Sequence, residues 1–140
     1  MKIKASVLSG GDAEGSLLRL EEPLSFWGAF DPNTGIIVDT HHPQRGACLT
    51  GQVLLMRETR GSGSAPGALA EAIRLNTAPS CIILASRDIN LAIGSQVAAT
   101  LYGRRCPILL VAERDFERLK TATYVSVSYT HLTLPTIYSV

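Results

Sequence analysis

Apolar runs in the middle of the chain set its predicted secondary structure. Three of these runs are short and carry no charged residue, which is typical of strands buried on both faces of a parallel sheet. They span residues 52–56, 81–85 and 106–112. Apolar residues recur at helical spacing in residues 68–75 and 90–101, and residues 113–120 predict a short charged helix. Asn90 is the predicted cap of the second helix, and Gly103 marks its end.

Shorter segments predict further strands toward both ends of the chain. They are residues 2–8, 16–20, 36–39 and 123–128. A β-rich beginning followed by alternating strands and helices predicts the fold class α/β, with a mostly parallel sheet flanked by helices and an N-terminal β layer. The residues DPNTG at 31–35 predict a tight turn, because Asp31 can accept a backbone hydrogen bond and Gly35 tolerates positive φ.

The candidate site is the segment that follows the strand at 52–56, which reads RETRGSGSAPG. Two hydroxyls lie there among three glycines, and these residues are Ser62, Ser64, Gly61, Gly63 and Gly67. Glycines let backbone N–H groups approach a ligand closely, and Ser64 and Pro66 suit the start of a helix. The segment lacks the lysine of a nucleotide-binding P-loop. The pattern alone therefore leaves a phosphate cradle, a serine nucleophile and a plain turn open.

Composition and charge limit the possible functions. The 140 residues suffice for one domain, and 46% hydrophobic residues with 18% charged residues are typical of a globular protein. A net charge of +1 gives no reason to expect nucleic acid or a membrane surface as a partner. The sequence predicts neither a membrane span nor a signal peptide. Three widely spaced cysteines favour a reducing cytoplasm over a disulfide framework, and each is expected to be buried.

Other polar residues offer weaker site candidates. Adjacent side chains rarely bind one metal ion, so we expect His41 and His42 to be structural or rim-lining rather than metal ligands. A triad of Ser62, His42 and Asp39 can be drawn, although the spacing does not require it. The candidate partners of an anionic substrate are Arg57, Arg60, Arg104 and Arg105, and the loop carboxylates are Glu21, Glu22, Asp31 and Asp39. Of these we retain Arg60, because it adjoins the serine loop, and expect the carboxylates to be solvated or capping.

The segment FWGAF at 26–30 concentrates aromatic residues in a stretch that prolines and glycines keep irregular. Apolar aromatics in such a stretch pack on the domain core or on a partner surface, and both interpretations stay open for Trp27.

The end of the chain differs in composition from the rest. Residues 128–140, SYTHLTLPTIYSV, are rich in threonine, serine and tyrosine and resemble a translated cloning tail. We therefore predict a domain over residues 1–126 and a non-native or atypical tail over residues 127–140. On this hypothesis His131 carries no function.

One long block resembles a known family. The sequence EEPLSFWGAFDPNTGIIVDTHHPQRGACLTGQVLLM, followed by RGSGS and ALAEAIRLNTAPSCIIL, resembles the swivel domain, or small subunit, of aconitase X over about residues 2–120. The resemblance implies a β/β/α fold that closes over a larger subunit or domain carrying an iron–sulfur cluster. It implies no cofactor bound by this chain, which would be a separate small subunit or a fragment of a fused enzyme.

The same resemblance implies a dehydratase of a hydroxylated acid, either cis-3-hydroxy-L-proline or mevalonate 5-phosphate. In the family, the serine after Arg-Gly accepts a proton, and the matching residue here is Ser62. Arg60, Gly61, Gly63 and Ser64 are then expected to bind substrate. Relatives often carry a serine-rich run where this chain reads GSAPG, and the tail does not follow the family. A non-catalytic domain that docks through FWGAF is the alternative.

Overall fold

The computed structural model describes residues 1–60, 63–129 and 136–140. Its strands in chain order are β1 (Lys2–Lys4), β2 (Ser6–Ser9), β3 (Ala13–Arg19), β4 (Phe30–Asp31), β5 (Ile36–Ile37), β6 (Val53–Leu55), β7 (Cys81–Leu84), β8 (Ile108–Leu110), β9 (Tyr124–Ser128) and β10 (Thr136–Ser139). Its helices are α1 (Ala65–Arg74), α2 (Ile89–Tyr102) and α3 (Glu113–Leu119).

Eight strands within these residues form one sheet in the order β1-β10-β9-β3-β6-β7-β8-β2. The four strands β3, β6, β7 and β8 run parallel, whereas the strands that flank them pair antiparallel. β4 and β5 form a separate two-stranded hairpin. The predicted parallel sheet is therefore the centre of a longer mixed sheet.

The sheet folds over on itself and makes two β layers beside one helical layer. Ile3, Val125 and Ile137, which lie on β1, β9 and β10, pack with Val53 and Leu55 of β6. Helix α3 covers the rest of this face through Phe116 and Leu119. The opposite face carries α1 and α2, whose apolar residues pack on the alternate positions of β6, β7 and β8. This β/β/α layering confirms the predicted fold class.

The predicted N-terminal strand over residues 2–8 is two strands with different partners. β1 joins the outer β layer beside β10, whereas β2 pairs with β8 at the far end of the sheet. The chain changes layers at Ala5, which is buried. The pattern within residues 2–8 could not reveal this change, because the partners of β1 and β2 lie about a hundred or more residues away in the sequence. The N-terminal β layer is thus built jointly by β1 and the C-terminal strands.

The predicted turn at residues 31–35 forms as its residue types require. The backbone N–H of Asn33 donates to Oδ1 of Asp31 over 2.9 Å, and the backbone N–H of Gly35 donates to the Asp31 carbonyl over 2.8 Å. Gly35 has a φ of 76°, which favours glycine. The turn directs the following residues back along the FWGAF segment, where Val38 donates to the carbonyl of Ala29.

The end of the chain takes part in the outer β layer. β10 lies between β1 and β9, and Ile137 is buried among their apolar side chains. The predicted domain boundary after Ser126 falls inside β9. His131 lies outside the described residues. The non-native origin of residues 127–140 stays a prediction.

Candidate active site

Three loops meet at one edge of the parallel sheet. β3, β6 and β7 run in the same direction, so residues 20–23, 56–60 and 85–88 leave the sheet from neighbouring carboxyl ends. In open α/β sheets this edge is the usual place for ligand binding. The predicted serine loop follows the middle one of these three strands.

Arg60 is held at this edge by its backbone and exposes its guanidinium group. Its N–H donates to the carbonyl of Leu24 over 3.3 Å, next to a bridge between Leu24 and Thr59. Its Nη2 lies 3.3 Å from Oε1 of Glu22, and 57% of the side chain is exposed. A contact at this distance between exposed groups is weak. The guanidinium group therefore remains available to an anionic ligand.

His42 holds the backbone of Glu22 by a hydrogen bond and does not belong to a catalytic triad. The backbone N–H of Gln44 donates to Nδ1 of His42 over 3.0 Å, so the ring proton lies on Nε2 and is donated to the carbonyl of Glu22 over 3.1 Å. The side chain is buried, and both ring nitrogens are occupied by the backbone. The triad of Ser62, His42 and Asp39 is therefore excluded, and the expected structural role of His42 is confirmed.

A threonine and an aspartate tie the start of the serine loop to helix α2. The hydroxyl of Thr59 donates to Oδ2 of Asp88, and Oδ1 of Asp88 accepts the N–H of Leu91 over 3.0 Å. Asp88 is thus the N-cap of α2. The predicted cap, Asn90, lies two residues further along the chain, so that prediction was wrong. Both residue types cap helices well, so only the position of the preceding strand end decides between them. The predicted end at Gly103 is confirmed, with φ of 66°.

Helix α1 begins directly after the serine loop. Ser64 occupies its N-cap position, and its carbonyl accepts the N–H of Ala68 over 3.3 Å. Its side chain makes no capping hydrogen bond, so the predicted capping role of the hydroxyl was wrong. Gly63 is exposed, and a Cβ atom there would meet nothing within 4 Å. Gly61 and Ser62 lie outside the described residues, so their predicted roles stay predictions.

The start of α1 is fixed by a close contact with α2. A Cβ atom on Gly94 would lie 2.5 Å from the carbonyl oxygen of Pro66 and 2.8 Å from its Cα atom. Glycine is therefore required for the two helices to approach at this level. Sequence reasoning missed Gly94, Thr59 and Asp88. For Asp88 a usable indication was present, namely an aspartate three residues before the buried Leu91.

Arg57 is close to the site in sequence but is engaged elsewhere. Its guanidinium group pairs with Glu113 and, over 2.9 Å, with Glu117, and it stacks on the ring of Phe116 at 4.8 Å. The hydrogen bond that Arg57 donates to Glu113 raises the pKa of Arg57. Hydrogen bonds from Lys120 and then Arg57 lower the pKa of Glu117. Arg57 therefore links α3 to the end of β6. Its guanidinium group is occupied by these contacts, so Arg57 is not a candidate substrate ligand.

The described residues do not fit an iron–sulfur cluster or a metal ion. Within residues 1–60, 63–129 and 136–140, no three His, Cys, Asp or Glu side chains come together. Burial raises the pKa of the Cys81 thiol, and it raises the pKa of the Cys106 thiol to about 12. Buried neutral thiols are poor metal ligands. Cys48 is exposed, against the expectation from its residue type.

The part of the chain that the structure describes contains no helix long and apolar enough to cross a membrane.

Comparison with known proteins identifies the family. The family model of the aconitase X swivel domain matches residues 2–135. The chain belongs to this family. Its structure superposes on that of Thermococcus kodakaraensis aconitase X in the holo form with a TM-score of 0.80 and 25% identity, covering 100% of this chain and 98% of the other. The resemblance stated from the EEPLSFWG block and the RGS motif is thereby confirmed.

Curated relatives of this swivel domain carry two different names. A cis-3-hydroxy-L-proline dehydratase from Hypocrea jecorina is 37% identical over 125 residues, which are 89% of this chain and 21% of that protein. A phosphomevalonate dehydratase small subunit from Thermococcus onnurineus is 36% identical over 129 residues, which are 91% of this chain and 92% of that subunit. The chain thus spans about a fifth of the former relative and nearly all of the latter.

Proposed function

We propose that this chain is the swivel domain or small subunit of an aconitase X-type hydro-lyase that dehydrates cis-3-hydroxy-L-proline. A larger subunit or domain supplies the rest of the active site and carries the iron–sulfur cluster, and we assign no step of this chain to that cluster. The placement of Arg60 supports the proposal most directly. Its exposed guanidinium group lies at the carboxyl edge of the parallel sheet, and Arg60 directly precedes Gly61 and Ser62 in the sequence.

The chemistry of dehydration gives each residue of the loop a role. Loss of water next to a carboxylate requires a base for a weakly acidic C–H and stabilisation of the resulting anion. Ser62, deprotonated in the closed cleft, takes the proton from this C–H bond and becomes a neutral hydroxyl, the role that the family resemblance implies. Arg60 grips the substrate carboxylate, for which a guanidinium group offers paired donors. The positive end of the α1 dipole, which begins at Ala65, favours the developing negative charge.

The charges around Arg60 favour the imino acid over a phosphate ester. Glu22 lies beside Arg60, and Arg57 is neutralised by two carboxylates. A zwitterion, with one carboxylate and one ammonium group, matches an Arg–Glu pair. A phosphate dianion is usually bound by several cations. Mevalonate 5-phosphate is therefore the alternative substrate, in which the larger portion would have to supply the phosphate ligands.

A reconstituted enzyme tests this proposal. The chain is combined with the larger portion from the same organism, and both acids are assayed. We expect dehydration of cis-3-hydroxy-L-proline, and Ser62→Ala should lower turnover by about 10²–10⁴-fold with the complex intact, because a general base contributes this much. Ser16→Ala is the matched control, since Ser16 is an exposed serine on β3 to which no role in the site is assigned. Near-normal turnover of Ser62→Ala would remove the assigned base, and activity on the phosphate alone would reverse the substrate.

The second candidate is a non-catalytic domain that docks on a partner through Trp27. In the FWGAF segment, Phe26 and Phe30 are buried in the domain core. Trp27 is 61% exposed and is therefore available to a partner surface. Trp27 borders an apolar cleft of about 410 Å³ that also touches Gly67 and Ala68 of α1. A complex that depends on Trp27 and dehydrates neither acid would favour this candidate.

A further inference from the structure

One face of α2 exposes a continuous row of apolar side chains, which we call the α2 stripe. It consists of Ile89, Ile93, Val97 and Leu101, with exposed fractions of 61%, 49%, 42% and 64%. Residues four apart lie on the same face of a helix, so the stripe extends about 18 Å along α2. Val7 on the edge strand β2 adds to it, and a cleft of about 360 Å³ runs between the strand and the helix.

The composition of α2 is typical of a helix that is covered by other parts of a protein. Its sequence, INLAIGSQVAATLY, contains no charged residue. By contrast, α1 exposes the ion pair of Glu71 and Arg74, and α3 exposes Glu113 and Glu117. The outer face of α2 also exposes the uncharged polar residues Asn90, Gln96 and Thr100, so the apolar area is concentrated in the stripe. Among the described residues, its side toward α1 and the sheet is the covered one, where Leu91, Ala92 and Ala98 are buried.

The stripe begins beside the candidate active site. Ile89 directly follows Asp88, whose carboxylate accepts the hydroxyl of Thr59 at the start of the serine loop. One turn further, Gly94 contacts Pro66 at the start of α1. A body that completes the site above the serine loop would therefore lie against the first turns of α2 as well.

We propose that the α2 stripe is the docking surface for the larger portion of the enzyme, an inference that rests on the proposed function. Two observations select this occupant. This chain spans 21% of the Hypocrea jecorina dehydratase, so the remainder of such an enzyme is large enough to cover a stripe of this length. The stripe also adjoins the loop whose site the larger portion has to complete.

The test compares two lysine substitutions at exposed apolar positions on opposite sides of the domain. Ile93→Lys changes the stripe, and Tyr124→Lys changes the outer β layer at a residue that is 41% exposed. Each variant is titrated with the larger portion from the same organism, and turnover of both acids is recorded. We expect Ile93→Lys to weaken binding at least tenfold and Tyr124→Lys to weaken it less than twofold. The melting temperatures of the free variants verify folding, and Ile93→Ser replaces Ile93→Lys if the lysine unfolds the chain.

The outcomes separate this inference from the proposed function. Equal binding by wild type and both variants, with normal turnover, would overturn the docking surface and leave the proposed function intact. Tight binding that is lost in Ile93→Lys, without dehydration of either acid, would support the docking surface and overturn the proposed function. A wild-type chain that does not bind the larger portion would overturn both. A dimer of the free chain that Ile93→Lys dissociates would show that a second copy covers the stripe, against our inference.

Discussion

The two faces of the parallel sheet end in very different outer surfaces. On the α3 side, Arg57 is bound by Glu113 and Glu117 and stacks on Phe116, so its charge is satisfied within the chain. At the carboxyl edge of the sheet, Arg60 has a 3.3 Å contact with Glu22, and on the α1 and α2 side α2 exposes an apolar row. The first surface needs nothing further. The edge has an exposed guanidinium group and the α2 side has apolar area to cover, as expected where a ligand and a partner meet.

The two arginines give the strongest test of this difference. Arg60→Gln should lower turnover of the reconstituted enzyme on the order of 100-fold with little change in stability, because it removes an oriented donor from the substrate. Arg57→Gln should leave turnover within a few-fold and lower the urea midpoint, because it releases α3 from the end of β6. Steady-state kinetics and urea unfolding of both variants provide the comparison.

Arg60→Lys sharpens the result. A lysine keeps the charge but loses the paired donors, so only partial turnover should return. If Arg57→Gln were the more damaging change for turnover, the assignment of the two faces would be wrong.

The contact between α1 and α2 gives the next largest effect. Gly94→Ala places a methyl group 2.5 Å from the carbonyl oxygen of Pro66, a backbone atom that cannot turn away. We expect a loss of about 1–3 kcal/mol in the free energy of unfolding, measured by urea denaturation. Turnover should fall as well, because displacement of Pro66 moves the start of α1 beneath the serine loop.

Gly67→Ala is the control for this substitution, since it lies in α1 and its new methyl group would meet nothing within 4 Å. There we expect a gain of about 0.4–1 kcal/mol from the better helix propensity of alanine. Equal stability changes at the two glycines would show that backbone entropy, and not the helix contact, governs Gly94.

The difference between the two faces could be predicted from sequence only in part. The central strands and the helices follow from local apolar patterns, and the turn at residues 31–35 follows from Asp31 and Gly35. The placement of β1 and β2 at opposite ends of the sheet does not, because pairing across more than a hundred residues leaves no local pattern. The exposed apolar face of α2 reads in sequence like a core helix, since hydrophobicity alone does not tell which side is covered.

The candidate site, too, could be predicted from sequence only in part. Arg60 was retained because it adjoins the serine loop, and the structure places its guanidinium group in the open. Its companions come from distant segments. Glu22 is positioned by His42, and Thr59 is bound by Asp88. None of these pairs has a characteristic sequence spacing, so residue type alone gave His42 and Glu22 as separate candidates and overlooked Thr59.

The cysteines test whether the faces also differ below the surface. Cys106 packs with the core under α1 and α2, and Cys81 packs with the core under the outer β layer. Both thiols are fully buried and have raised pKa values, about 12 for Cys106. At pH 8 a thiol reagent should therefore modify the exposed Cys48 at once and the other two only after unfolding. Rapid reaction of Cys106 alone would mean that the helical face opens by itself.

Burial of the thiols should also make the stability of the protein fall as the pH rises. A thiol ionises in the unfolded chain near pH 8.5, whereas Cys106 stays protonated up to about 12. Between these values the folded state holds the extra proton on Cys106, so each pH unit should remove roughly 1.4 kcal/mol of stability through this thiol. Urea unfolding from pH 8 to 10 measures the slope, and Cys106→Ala should reduce it. If Cys81→Ala reduces the pH slope by a similar amount, the core excludes water equally on both faces of the sheet. The two faces then differ only at the outer surface.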